Sequence, residues 1–89
     1  MKGRIYLRGD VRLPYWVVHW PHKGKIYKIS KYLGETEPMY QTSHEEEGDI
    51  GLKKARKLLA LMQGDEERGV FRIEKYIGER TTDIIPYLE

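Results

Sequence analysis

The sequence predicts an α+β domain in which a three-stranded antiparallel sheet packs against a C-terminal helix, with an additional short strand at the margin. Three observations predict it. Apolar and polar side chains alternate with a period of two through "GRIYLR", "YWVVHW" and "KIYKISKY". The turn-forming stretches "GDVRLP" and "PHKG" separate those runs, so the three strands follow one another as a meander. In "LKKARKLLALMQG" the apolar spacing then changes to that of a helix. The 89 residues, 39% hydrophobic and 34% charged, match one small globular domain rather than a disordered or fibrous chain.

In the first strand Ile5 and Leu7 share one face while Arg4, Tyr6 and Arg8 share the other. Asp10 favours a turn after it, and Pro14 suits the beginning or edge of the next strand. The second strand sends Trp16, Val18 and Trp20 one way and Tyr15, Val17 and His19 the other, and the bulkier set belongs to the core. In the third, Tyr27 and Ile29 face inward with Ile26, Lys28 and Ser30 opposite. Three strands need a cover for their apolar face, and the helix supplies it with Leu52, Ala55, Leu58, Leu59 and Met62. Asp49 is its expected N-cap and Gly64 its expected left-handed C-terminal residue. Between sheet and helix, "EPMYQT" offers the short edge strand. After the helix, "VFRIEKYIG" reads as a further extended segment, and "TTDIIPYLE" as a Thr-capped helix start that breaks off at Glu89 in mid-pattern. The domain is therefore expected to occupy residues 1–66, with residues 67–89 a connector toward an absent helical domain.

Charge is distributed unevenly. Residues 1–34 hold eight Lys or Arg against Asp10 alone, residues 35–50 hold six acids and no Lys or Arg, and the helix adds Lys53, Lys54, Arg56 and Lys57. Such segregation focuses positive potential on one face and attracts a polyanion. The chemistry of bond making is not legible. There is no cysteine, hence no disulfide and no thiolate metal site, which fits a reducing compartment. His19, His22 and His44 lack the spacing and partners of a metal site, so no metal and no cofactor is expected. No nucleophile elbow, phosphate-cradling glycine loop or HExxH motif occurs, and no run approaches the roughly 18 apolar residues of a membrane span. No catalytic residue is assigned.

Binding is the better-supported class. The sheet face turned away from the helix is expected to collect Arg4, Arg8, Tyr15, His19, Lys28 and Ser30, with Arg12, Lys23, Lys25 and Lys31 at its turns and rims. A small sheet fits the major groove of double-stranded DNA, about 12 Å wide, where arginine reaches guanine edges and lysine reaches phosphates. Val17 and Ile26 on that face either pack against a thymine methyl or fill cross-strand gaps, and the second is the better expectation for both. The alternatives are a protein–protein interaction module, which would expose Trp16 or Trp20, and a binder of RNA duplexes, which attract the same positive field.

The order of these features resembles the N-terminal arm-type DNA-binding domain of phage and integrative-element tyrosine recombinases. "YWVVHW" is similar to that family's second strand, "HKGKIYKIS" to its hairpin and third strand, "GLKKARKLLALMQG" to the helix behind the sheet, and "FRIEKYIGERTTDIIPYLE" to the connector entering a core-binding helical domain. The resemblance implies sequence-specific binding of arm-type sites on double-stranded DNA through Arg4, Arg8, Tyr15, His19, Lys28 and Ser30. It also implies a parent integrase whose catalytic domain lies outside these residues, partnership with its core-binding and catalytic domains and with other recombinase protomers, and a nucleoid-associated cytoplasmic location in a bacterial host. None of the seven tyrosines takes the role of the recombinase nucleophile.

Overall fold

A computed structural model of the chain describes residues 2–77 and 82–86, the last five as backbone alone. Strand β1 (Arg4–Arg8) pairs antiparallel with β2 (Tyr15–His22), and β2 pairs antiparallel with β3 (Lys25–Ile29). The β2–β3 connection is a two-residue turn in which Lys23 and Gly24 both have positive φ, 50° and 77°, the geometry whose twist matches the flanking strands. A two-residue strand, β4 (Met39–Tyr40), pairs with the beginning of β2, as "EPMYQT" suggested, and places Met39 opposite Trp16. The sheet is thus a meander of three strands with short additions, and it packs on one long helix, α1 (Ile50–Glu67).

Side-chain parity builds the core. Val18 and Trp20 of β2, Tyr27 and Ile29 of β3 and Met39 of β4 are buried against Ala55, Leu58 and Met62 of α1, and Ile5 and Trp16 pack around them. Burying such side chains is the main favourable contribution to folding in a chain this size. Two local features seat the helix. Gly51 lies in its first turn, and a Cβ there would stand 2.0 Å from the Tyr40 carbonyl oxygen, so only glycine lets the helix approach β4 this closely. Asp49 is the N-cap, accepting from the Leu52 N–H at 3.3 Å. The same carboxylate accepts from the Thr42 N–H at 3.0 Å and from the Trp16 indole N–H at 2.9 Å, fastening the helix start to the sheet.

The second half departs from the sequence reading in three places. Helix α1 does not end at Gly64; it continues to Glu67, and the left-handed residue is Gly69 (φ 76°). The extra turn is held by Asp65, which is buried and accepts hydrogen bonds from Tyr76, Arg68 and Lys75, a set of partners that no local pattern announces. Residues 74–77, expected to be extended, form a short helix, α2 (Glu74–Ile77). Its three-residue spacing brings Ile73 and Tyr76 together into the core, which outweighs the alternation of Val70, Arg72 and Glu74. Finally, Thr82–Pro86 is not the start of a helix but strand β5, paired antiparallel with β3. The free edge of β3 offers ladder hydrogen bonds to a run rich in β-branched residues, and Pro86 sits where a strand tolerates it, at the end. Thr81 and residues 87–89 lie outside the described residues. The chain after residue 66, expected as a connector, therefore contributes Ile73 and Tyr76 to the core and a strand to the sheet.

Candidate nucleic-acid interface

The sheet has one face against α1 and one face open. On the open face the registers set Arg4 beside His19 and His19 beside Lys28, so a basic row crosses β1, β2 and β3. Tyr6 stands opposite Val17, and Arg8 opposite Tyr15. The Tyr6 and His19 rings lie 6.2 Å apart, and the Arg4 guanidinium sits 5.8 Å from the Tyr6 ring centre, a cation–π arrangement that holds the arginine over the sheet. Val17 shares this parity yet is 1% exposed and outside the core cluster, with Tyr6 opposite it on β1. That is the gap-filling role expected of it.

The sequence-predicted residues fall into two groups. Arg4, Arg8, Tyr15, His19 and Lys28 are brought together on the open face, with Ser30 just beyond the end of β3. Arg12 lies in the β1–β2 loop, and Lys31 forms a bridge with Pro38 where the chain leaves the sheet. Lys23 and Lys25 are elsewhere. Lys23 occupies the β2–β3 turn, and Lys25 has the inward parity of Tyr27 and Ile29. With His22, Phe71, Arg72 and Glu74 they line a cleft of about 560 Å³ at the helix side of the sheet. That cleft was not foreseen. Its aromatic wall, with the His22 and Phe71 rings 4.9 Å apart and Phe71 stacked on Trp20 at 5.3 Å, depends on the unpredicted return of the chain after α1. The lone phenylalanine of the sequence was the one available signal.

Ion pairing is sparse among the cations at and around the sheet. Among the described residues, Arg4, Arg8, Arg12, Lys23, Lys25, Lys28 and Lys31 form no ion pair with a carboxylate; the five pairs present fall on other cations. Asp83 of β5 holds the register position opposite Lys28. Two carboxylates of the acidic segment reach the helix, where Glu35 pairs with Lys54 at 2.9 Å and Glu46 with Arg56 at 3.1 Å. His19 reports the resulting field. Partial burial and the charges of Arg4 and Lys28 all hold its pKa below the ordinary histidine value, so it is neutral at neutral pH. His22 is likewise lowered by burial and by Lys2 and Lys23, against the opposing pull of Glu66 and Glu74.

No group of three or more His, Cys, Asp or Glu side chains gathers in a metal-binding arrangement among the described residues. No helix there is long and apolar enough to cross a membrane. No family model, curated protein or solved structure matches the chain.

Proposed function

We propose that this chain binds double-stranded DNA through the open face of its sheet, as the arm-site-binding part of a site-specific recombinase. One observation carries the reading: Arg4, Arg8, His19 and Lys28 stand together on the open face, where Arg4 and Arg8 form no ion pair among the described residues, while Glu35 and Glu46 of the acidic segment pair with the helix. Unpaired arginines and lysines keep their full attraction for phosphate, whereas paired ones must first give up a partner. A small antiparallel sheet is one of the elements that enters the major groove, where Arg4 and Arg8 would present bidentate donors to guanine and Lys28 would meet phosphate. Tyr15 and neutral His19 add hydrogen-bonding groups that read base edges or backbone oxygens. The resemblance to arm-type domains supports the recombinase context, and the target is a duplex rather than a single strand because Trp20 is buried and Trp16 is engaged by Asp49, leaving neither as a stacking platform.

The test is fluorescence anisotropy with a labelled duplex containing an arm-type sequence, beside a matched RNA duplex. Binding weakens markedly between roughly 50 and 200 mM salt, and Arg8→Glu or Lys28→Glu weakens it by about tenfold or more. Lys57→Glu, on the exposed flank of α1, has little effect. Unchanged anisotropy at low salt, or a larger loss from Lys57→Glu than from Arg8→Glu, contradicts the proposal.

A further inference from the structure

The loop joining β1 to β2 has a property that the groove-reading face does not require. Its Val11 is 97% exposed and its Leu13 56% exposed, and Leu7 at the adjoining end of β1 is 41% exposed. Folding gains nothing from apolar side chains left in water, and a turn of this kind is as readily built from polar residues. The loop is also held in place. Asp10 turns its carboxylate back to accept from the backbone N–H groups of Arg12 at 2.9 Å and Leu13 at 3.0 Å. Gly9 has φ 99°, which a side chain would strain, and the Pro14 carbonyl accepts from the Gln41 N–H at 3.0 Å, tying the loop's far end to the chain after β4. The apolar tip is therefore preorganised, and inserting it orders little that is not already ordered.

Its surroundings indicate what it enters. Arg8 and Arg12 stand on either side of Val11 in the chain, both exposed and both without an ion pair among the described residues. A rigid apolar projection between two free guanidinium groups suits a surface that is anionic outside and apolar within. In a DNA duplex the phosphates are the outer layer and the stacked bases the inner one. Proteins that kink DNA use this arrangement, with an apolar wedge partly unstacking a base step while cations hold the backbone. We propose that residues 9–14 form such a wedge, inserting Val11 and Leu13 at a base step beside the groove occupied by the sheet and bending the duplex. The inference rests on the DNA-binding reading and adds bending to it.

The experiment uses the full chain and a duplex of about 30 base pairs containing flexible TA and CA steps, with donor and acceptor dyes at its ends. The wild-type chain raises energy transfer on binding. The Val11→Ser/Leu13→Ser double variant melts with the wild type, because both positions face solvent. It binds about tenfold more weakly from the loss of apolar burial, with an unchanged dependence of affinity on salt, and does not raise energy transfer. Arg8→Ala gives the converse result, a shallower salt dependence. Wild-type binding without bending, or bending by the double variant equal to wild type, overturns the wedge and leaves DNA binding standing. Failure of the wild type to bind at low salt overturns both. Loss of binding to phosphatidylserine vesicles by the double variant, with its DNA bending intact, assigns the tip to a membrane surface and overturns the wedge.

Discussion

The open face of the sheet and the exposed flank of α1 are both basic, yet they are not equivalent. On the helix, Lys54 and Arg56 are engaged by Glu35 and Glu46, which belong to the acidic stretch between sheet and helix. On the sheet, Arg4 and Arg8 have no such partners among the described residues, and burial together with the charges of Arg4 and Lys28 lowers the pKa of His19. The helix pairs with Glu35 and Glu46 of the acidic segment, and among the described residues Lys2 is the one cation of the N-terminal basic segment in an ion pair, with Glu66. A small net charge of +2 thus coexists with one strongly positive face. Charge counted along a chain becomes informative once the fold shows which runs meet.

The contrast depends on the acidic segment staying docked, and Asp49 is where it is fastened. Asp49→Ala removes the helix cap and strands the Trp16 indole and the Thr42 N–H without their acceptor. The expected loss is about 2–3 kcal/mol of stability by chemical denaturation, with Asp49→Asn retaining part of it. This is the largest single effect expected outside the apolar core. A loss below about 0.5 kcal/mol would mean that the helix start is seated by packing alone.

A smaller effect comes from pH, and it separates fold from binding. His19 and His22 both have folded pKa values below the ordinary value, so as pH falls through about 6.5 the unfolded chain takes up protons first and stability declines. Asp49 follows at lower pH. Burial alone would raise its pKa, but the hydrogen bonds from Thr42, Trp16 and Leu52 outweigh that and hold it down, so its contribution is present above about pH 4 and is lost as pH falls through the folded value. Binding moves the other way. A phosphate backbone laid on the open face offsets Arg4 and Lys28, raises the pKa of His19 and favours its protonated form, so DNA affinity increases from pH 7.5 to about 6. His19→Gln removes that increase. Affinity that is flat across this range in the wild type would place His19 away from the bound anion.

The first 30 residues were largely legible because a two-residue period fixes parity, although β2 runs on through Pro21 and His22, which "PHKG" had placed in the turn, leaving Lys23 and Gly24 alone to form it. Once Trp20, Tyr27 and Ile29 face inward, Arg4, His19 and Lys28 must face outward. Parity also shows why Lys25 joins the inner side, since it is two residues before Tyr27. The C-terminal third was not legible, because short apolar runs such as "VFRIEKYIG" carry both periods and tertiary partners decide between them. The sequence reading ended the helix at Gly64, and the buried Asp65 with Tyr76, Arg68 and Lys75 carries it on to Glu67 instead. The neutralisation of the helix by Glu35 and Glu46 was likewise hidden, because it joins residues 10 and 19 positions apart whose meeting depends on the path of the intervening loop.

The proposal stands or falls on whether the open face of the sheet, rather than the basic flank of α1, receives the polyanion. Titration of the isotope-labelled chain with duplex DNA at low salt, followed by amide NMR, tests it most directly. The account predicts shifts concentrated at Arg4, Tyr6, Arg8, Tyr15, His19 and Lys28, with Lys53 and Lys57 unmoved. Shifts concentrated along α1 with the β1–β3 amides unchanged would contradict it.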